Sequence, residues 1–464
     1  MNEALLEKID SLIDSARTDL AKTTIQLVNI KSVQEAALPG APFGAGPRRV
    51  LDTVLEMGKD AGFHCTDHGV GVVSLSLDEG QPDLGIWLHG DVVPEGSDWR
   101  FEPYNAVEYK GCVIGRGATD NKGQLAVIFH LLKIFKELGI KLNYNPALYV
   151  GSNEETGMKD MVGLPDNEDA KGFVNVCTPP RLSLVPDGGF PIGYGGKGGM
   201  TLRLKSKEPL HGLTLTAGLP ETPGRATAVF EETTVPPSLP LCTVIGNTVT
   251  AETPPRHGAH PDPNGNMITN LSAALLEADL VPQDRAVFEF LKIVSKEIHG
   301  HTLGIATTHT EMSPLTVFAQ RITQEDGYIV LSLNIRYPVG ITYEEIAHRV
   351  SQVAETYGLS LYDSASGTKP YINDPNAAVV QTLCAVANSV TGDVGKPYTV
   401  SGGTYAHRLP NAFVFGMSGN LPPEDFPQGR GGAHGVDEAV SLDRLQRAMR
   451  IYARALLALN ELEW

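Results

Sequence analysis

Short apolar runs that end in polar or acidic residues recur along the chain. Leu84 to Leu88 leads into His89, Ala147 to Val150 into Ser152-Asn153-Glu154-Glu155, and Leu182 to Pro186 into Asp187. Runs of this length predict strands, each delivering polar side chains at its C-terminal end. Between the first two, Lys122 to Leu138 sets Leu125, Ile128, Phe129, Leu132 and Phe135 on one helical face, with Gly139 as terminator. Strands alternating with helices predict an α/β core around a mainly parallel sheet. Ligands bind such sheets beyond the carboxyl ends of the strands, so these polar residues are expected to converge there.

The end of the chain repeats the pattern. Ala412 to Phe415 predicts a strand, a Gly/Pro-rich loop from Gly416 to Gly435 carries His434, and Ser441 is positioned to cap a helix running to Leu462. The segment between Asp187 and Ser401 has another texture, opening in the glycine cluster Gly193 to Gly199 and rich in Thr, Val and Pro. It predicts an inserted α+β domain with strands at Met200–Leu204 and Tyr328–Arg336 and a helix over Met267–Leu280. The expected organisation is residues 1–190 and 381–464 for a catalytic domain and 191–380 for the insert.

Length and composition fit this picture. At 464 residues the chain is too long for one ordinary core, and 42% hydrophobic with 20% charged residues is a globular balance. A net charge of −17 disfavours nucleic acid and anionic lipid as partners. Met1 to Asp19 alternates charged and apolar residues at helical spacing, unlike a signal peptide, and no apolar run reaches the ~18 residues of a membrane span. Five dispersed cysteines without a C-x-x-C pair fit free thiols in a reducing compartment. A cytoplasmic location is the expectation.

Each candidate for chemistry has an ordinary explanation when taken singly. His89-Gly90-Asp91 is a weak motif, although a carboxylate beside an imidazole can fix its tautomer. Asp120 has the position of a helix N-cap. Glu154-Glu155 is a like-charged pair that needs something positive nearby, and Asp187 and His434 have the settings of turn residues. Together, two histidines and three carboxylates at sheet ends, with a further carboxylate free, compose a two-metal hydrolytic centre.

At this point the chain resembles the aminoacylase, acetylornithine deacetylase and carboxypeptidase G superfamily of metallopeptidases, and within it the PepV-like dipeptidases. The resemblance rests on H-G-D-V-V-P (89–94), G-R-G-A-T-D-N-K-G (115–123), S-N-E-E-T-G (152–157), P-D-G (186–188), G-A-H (258–260), N-I-R-Y-P-V-G (334–340), S-G-G-T-Y-A (401–406) and His434. It implies that Asp120 bridges two divalent ions, with His89 and Asp187 completing one site and Glu155 and His434 the other. Asp91 would orient His89, and Glu154 would be the general base. His260 would contact the oxyanion, and Arg336 would clamp the substrate's C-terminal carboxylate after hinge closure. Gly402, Gly403 and Thr404 could offer backbone N–H groups to a carboxylate. Zinc is the expected metal, with manganese or cobalt as alternatives.

Two departures stand out. Pro220 falls where such dipeptidases carry an asparagine, and the loop after His260 is a residue shorter than the family form. The long insert resembles the doubled lid that supplies its histidine in cis, so a monomer acting on a dipeptide is expected. The rival enzyme is an N-acyl amino acid deacylase of the acetylornithine or succinyl-diaminopimelate type. A different class, an inactive binding module that kept the fold, is disfavoured because all five ligand positions and Glu154 are present.

Overall fold

A computed structural model describes residues 3–163, 171–219, 222–231, 238–254, 258, 261–262, 264–417 and 422–464. His260 and Pro220 lie outside the described residues. The chain divides into two compact units, one made of Met1–Tyr194, Asn373–Tyr398 and Thr404–Trp464, the other of Gly195–Ile372 with Thr399–Gly403.

The first unit is built on a sheet in the order His64–Asp67, Val72–Ser76, Pro146–Gly151, Leu84–His89, Leu182–Val185, Ala412–Val414 and then Gly193–Gly196. The four strands from Pro146–Gly151 to Ala412–Val414 are mutually parallel, and the outer pairs are antiparallel. Leu84–His89, Pro146–Gly151 and Leu182–Val185 are buried at every position. Parallel strands covered on both faces read as continuous apolar runs for this reason.

The helix predicted over Lys122 to Leu138 spans Gly123–Glu137. It is not one-sided: Gly123 to Leu132 are all buried, because it packs against the sheet, Arg17–Val28 and Leu442–Leu459 at once. Ser441 occupies the cap position of Leu442–Leu459, but its side chain makes no capping hydrogen bond. A small antiparallel sheet of Val107–Tyr109, Cys112–Ile114 and Ala439–Ser441 pairs Ile114 with Ala439, which sets Glu438 beside Gly115.

The second unit is α+β. Among the described residues, eight of its strands form one antiparallel sheet in the order Thr243–Ile245, Thr248–Glu252, Thr222–Phe230, Leu213–Leu219, Thr316–Glu325, Tyr328–Tyr337, Gly198–Ser206 and Leu359–Thr368. Helices Met267–Leu275, Pro282–Lys296 and Tyr343–Glu355 pack on it around a core that includes Leu204, Leu271, Phe288, Leu331 and Val350. Asn266 caps the first helix by accepting from the Ile268 and Thr269 amides. That helix stops at Leu275 rather than Leu280, and Val281 is extended as the residue before Pro282, which opens the next helix. Among the described residues no helix is long and apolar enough to cross a membrane.

Close approach under the parallel strands demands a small residue at their carboxyl edge. Trp87 stacks on Tyr149 at 4.1 Å between ring centroids, and Phe173 and Tyr405 meet Trp87 edge-on. Tyr405 and Asp160 then lie directly over Gly151, where a Cβ would overlap both the phenol hydroxyl and the carboxylate. Gly151→Ala is therefore expected to destabilise the protein by about 1–3 kcal/mol, read as a lower denaturant midpoint. An unchanged midpoint would contradict the tight packing at this edge.

Candidate metal centre

Strand register determines which side chains meet. His89 ends its strand opposite Gly151, from which the chain continues into Ser152-Asn153-Glu154-Glu155, and Asp187 follows the neighbouring strand by two residues. Asp120 lies in the turn between Gly117, whose φ of 88° suits glycine, and the helix Gly123–Glu137. It is not a helix cap: its own backbone is non-helical, and the cap residue is Lys122. The Asp120–Asn121 peptide bond is cis. His434 adopts a positive φ of 62° in the glycine-rich loop.

The structure gathers these side chains into two trios that share Asp120. His89, Asp120 and Asp187 form one, and Asp120, Glu155 and His434 the other, with the potential ligand atoms of each within 4.8 Å of one another. Nε2 of His89 is 3.0 Å from one Asp120 oxygen, and Nε2 of His434 is 3.1 Å from the other and 3.1 Å from Glu155. Glu154 is buried beside them, and its Oε1 has no hydrogen-bond partner among the described residues.

Asp91 acts differently from the simple carboxylate–imidazole pairing expected of it. Nδ1 of His89 lies 3.0 Å from the Asp91 backbone carbonyl, and 3.6 Å from its carboxylate. That carboxylate instead accepts the amides of Glu154 and Glu155, both at 3.1 Å. The two preceding amides, Ser152 and Asn153, donate to Asp160 at 2.8 and 3.0 Å, and the Tyr405 hydroxyl donates to the same oxygen at 2.6 Å. Two carboxylates thus hold four successive N–H groups of the loop that bears Glu154 and Glu155. Glu438 does the same for the Asp120 turn, accepting from the amides of Gly117, Thr119 and Asp120. Lys122, fully buried near Asp91 and Glu438, donates to the Ile30 carbonyl at 2.8 Å, and burial lowers its pKa to about 7.

Crowded acids, buried or partly buried, shift one another. Burial, then the charge of Asp187, raises Glu154 well above the usual range. Burial and Asp120 raise Glu155 and bring Asp187 to about 7. Burial opposes ionisation of Asp120 too, but hydrogen bonds from His434 and His89 hold it far below its ordinary value. Its hydrogen bonds to Asp120 and Glu155 push His434 up to about 11. Protons on the two imidazoles thus stand where positive charge is needed. Two imidazoles and three carboxylates fit borderline divalent ions, which would satisfy the same acids with the imidazoles neutral.

Arg336 belongs to the second unit. It shares the outward face of Tyr328–Tyr337 with Asn334, whose Oδ1 accepts from its Nε at 3.1 Å. Opposite it, Gly199 leaves room for the guanidinium. Burial lowers its pKa, and no carboxylate among the described residues pairs with it. Thr404 is buried and caps the turn Tyr405–His407, its Oγ1 accepting from the Ala406 amide, whereas Gly402 has open space where a Cβ would be. Gly403 ends the short segment Thr399–Gly403 of the second unit.

The sequence pattern marks neither Asp160 nor Glu438. Most of their partners are backbone amides, so residue type carries no trace of those contacts. The one available signal was a pair of acids, Asp437-Glu438, set against the apolar Ala439-Val440.

This α/β fold and donor set are those of a metal-dependent hydrolase. The chain belongs to the peptidase family M20/M25/M40, whose sequence profile matches residues 86–458. A Staphylococcus epidermidis protein provisionally named a dipeptidase is 27% identical, over 93% of this chain and 95% of its own. A Staphylococcus aureus protein provisionally named in the same way is 26% identical over 98% of both chains. In fold the chain is similar to human carnosine dipeptidase 1, with a TM-score of 0.58 and 15% identity over 98% of this chain and 100% of that one. It is also similar to an M20 metallo-carboxypeptidase from Sulfolobus solfataricus, with a TM-score of 0.59 and 16% identity over 96% and 99%.

Asp160 provides a pH test of the loop support. Burial, then Asp91, raises its carboxyl from 3.8 to about 7. Between those values the folded state holds a proton that the unfolded state has released, so this group's contribution to stability falls as pH rises. Asp160→Asn removes that titration while keeping an oxygen for the three donors. The stability of the metal-free wild type relative to Asp160→Asn is expected to decline from pH 4 to pH 7, by on the order of 1 kcal/mol per unit. Denaturant unfolding at several pH values with chelator present measures it, and a pH-independent difference would rule it out.

Proposed function

We propose that this centre holds two divalent ions and hydrolyses the peptide bond of dipeptides. The observation that carries the reading is the pair of donor trios sharing Asp120, with the unpartnered Glu154 oxygen beside them. His89 and Asp187 would hold one ion, Glu155 and His434 the other, and Asp120 both. Zinc is the best match to mixed nitrogen and oxygen donors, with manganese or cobalt next. Ions bound there would acidify a shared water and polarise the scissile carbonyl.

Glu154 takes a proton from the attacking water on its free oxygen and delivers it to the departing amine. Its raised proton affinity suits both halves of that transfer. Asp91 keeps the backbone of Glu154 and Glu155 in register and holds the His89 ring through its own carbonyl. Arg336, a half-buried cation anchored at Nε by Asn334, leaves its terminal nitrogens for the substrate's C-terminal carboxylate. His260 donates to the oxyanion, and the Gly402, Gly403 and Thr404 amides assist in carboxylate binding.

Relatives provisionally named dipeptidases, matched along nearly the whole chain, support the substrate class. The eight-stranded insert supports the PepV-like form, its continuous stretch Gly195–Ile372 falling within the expected insert 191–380, between catalytic segments expected at 1–190 and 381–464. A PepV-like chain acts as a monomer, and five free cysteines fit a cytoplasmic setting.

Glu154→Gln is expected to retain both ions by elemental analysis and to lose about 10²–10⁴-fold in kcat; undiminished hydrolysis would remove Glu154 as the proton carrier. Across a panel of dipeptides and N-acetyl amino acids with each metal restored, hydrolysis is expected on the dipeptides, and activity on the acetylated compounds alone would instead identify a deacylase. Sedimentation is expected to give the mass of one chain, 49.7 kDa, and twice that mass would contradict the monomer.

A further inference from the structure

We propose that the buried Arg116–Glu438 pair is a positioning device that sets Asp120 and His434 in register for the two ions. The proposal rests on the reading of those two residues as metal ligands. Both side chains of the pair are buried, and Nη1 of Arg116 meets Oε2 of Glu438 at 2.6 Å.

The contacts point at the ligands from two directions. Oε2 of Glu438 also accepts the Gly117 amide at 3.1 Å, and Oε1 accepts those of Thr119 at 2.9 Å and Asp120 at 3.0 Å. The carboxylate therefore fixes the turn immediately before and at Asp120. Nη2 of Arg116 donates to the His434 carbonyl at 3.2 Å, with the Pro94 and Glu95 carbonyls at 3.4 Å. One rigid, planar guanidinium spans the carboxylate that holds one ligand and the backbone that carries the other. Trp99 covers it, with the guanidinium 5.2 Å from the ring.

A buried ion pair is weak evidence for stability, because desolvation offsets its attraction. Here Nε of Arg116 has no partner among the described residues while the other nitrogens reach the two loops. That distribution suits orientation better than cohesion. It also explains why His434, in a loop remote in sequence and on a left-handed backbone, meets both Asp120 and Glu155.

The test uses the full chain stripped with a chelator, then titrated with Zn²⁺ alone or Mn²⁺ alone against a chromophoric competitor, with melting curves before and after metal. Glu438→Gln turns one acceptor oxygen into a donor facing other donors, and is expected to weaken both ions about 10–100-fold. Its metal-induced rise in melting temperature should shrink accordingly. Arg116→Lys keeps the positive charge but cannot span both groups, and is expected to weaken one ion more than the other. Equal drops in the melting temperature of the metal-free and loaded forms, with unchanged affinities, would overturn the proposal. So would failure of both variants to fold, which would mark the pair as purely structural. Asp120→Asn separates the two readings: if it keeps both ions at full affinity, the metal centre itself is wrong. If it loses them while both pair variants bind normally, only the positioning role falls.

Discussion

Four carboxylates, Glu154 buried and the other three partly buried, crowd the carboxyl edge of one parallel sheet, and the rest of this molecule depends on that constraint. Asp120, Glu154, Glu155 and Asp187 cannot all ionise in a low-dielectric setting without positive partners. The imidazoles of His89 and His434 supply that charge in the form described, and divalent ions would supply it more fully. The fold must hold these repelling groups at a few ångströms, and that requirement explains the density of buried hydrogen bonds behind them.

The restraint works through the backbone. Asp91 and Asp160 divide the four amides from Ser152 to Glu155, and Glu438 collects three amides around Asp120. Using acids to hold amides adds more negative charge to an already acidic region. Arg116 and Lys122, both fully buried, offset it. A carboxylate accepting several N–H groups fixes a loop more firmly than a side-chain contact does, because the peptide planes themselves are oriented.

Much of this was legible in the sequence, for definite reasons. His89, Asp187 and Glu155 announce themselves because each follows an apolar run, and a parallel sheet sends such residues to one edge. The helix after Asp120 was legible from its period, but its burial on several sides was not, because period reports only the most apolar face. The turn at Asp120 has the spelling of a helix cap, whereas its geometry is set by Glu438, more than three hundred residues away. Asp160 was obscure because a backbone amide looks the same at every position, and Tyr405 because its partner is Asp160.

The catalytic unit is discontinuous, and this bears on when the centre can exist. His89, Asp120, Glu155 and Asp187 all precede the second unit in the chain, whereas His434 and Glu438 follow it. During synthesis the four earlier groups emerge without the imidazole that completes the second trio or the carboxylate that steadies Asp120. The inserted unit, almost continuous in sequence, can close its own sheet in that interval. Completion of the centre is thereby tied to arrival of the last strand and helix, so a partially made chain carries the acids but not an assembled hydrolytic site.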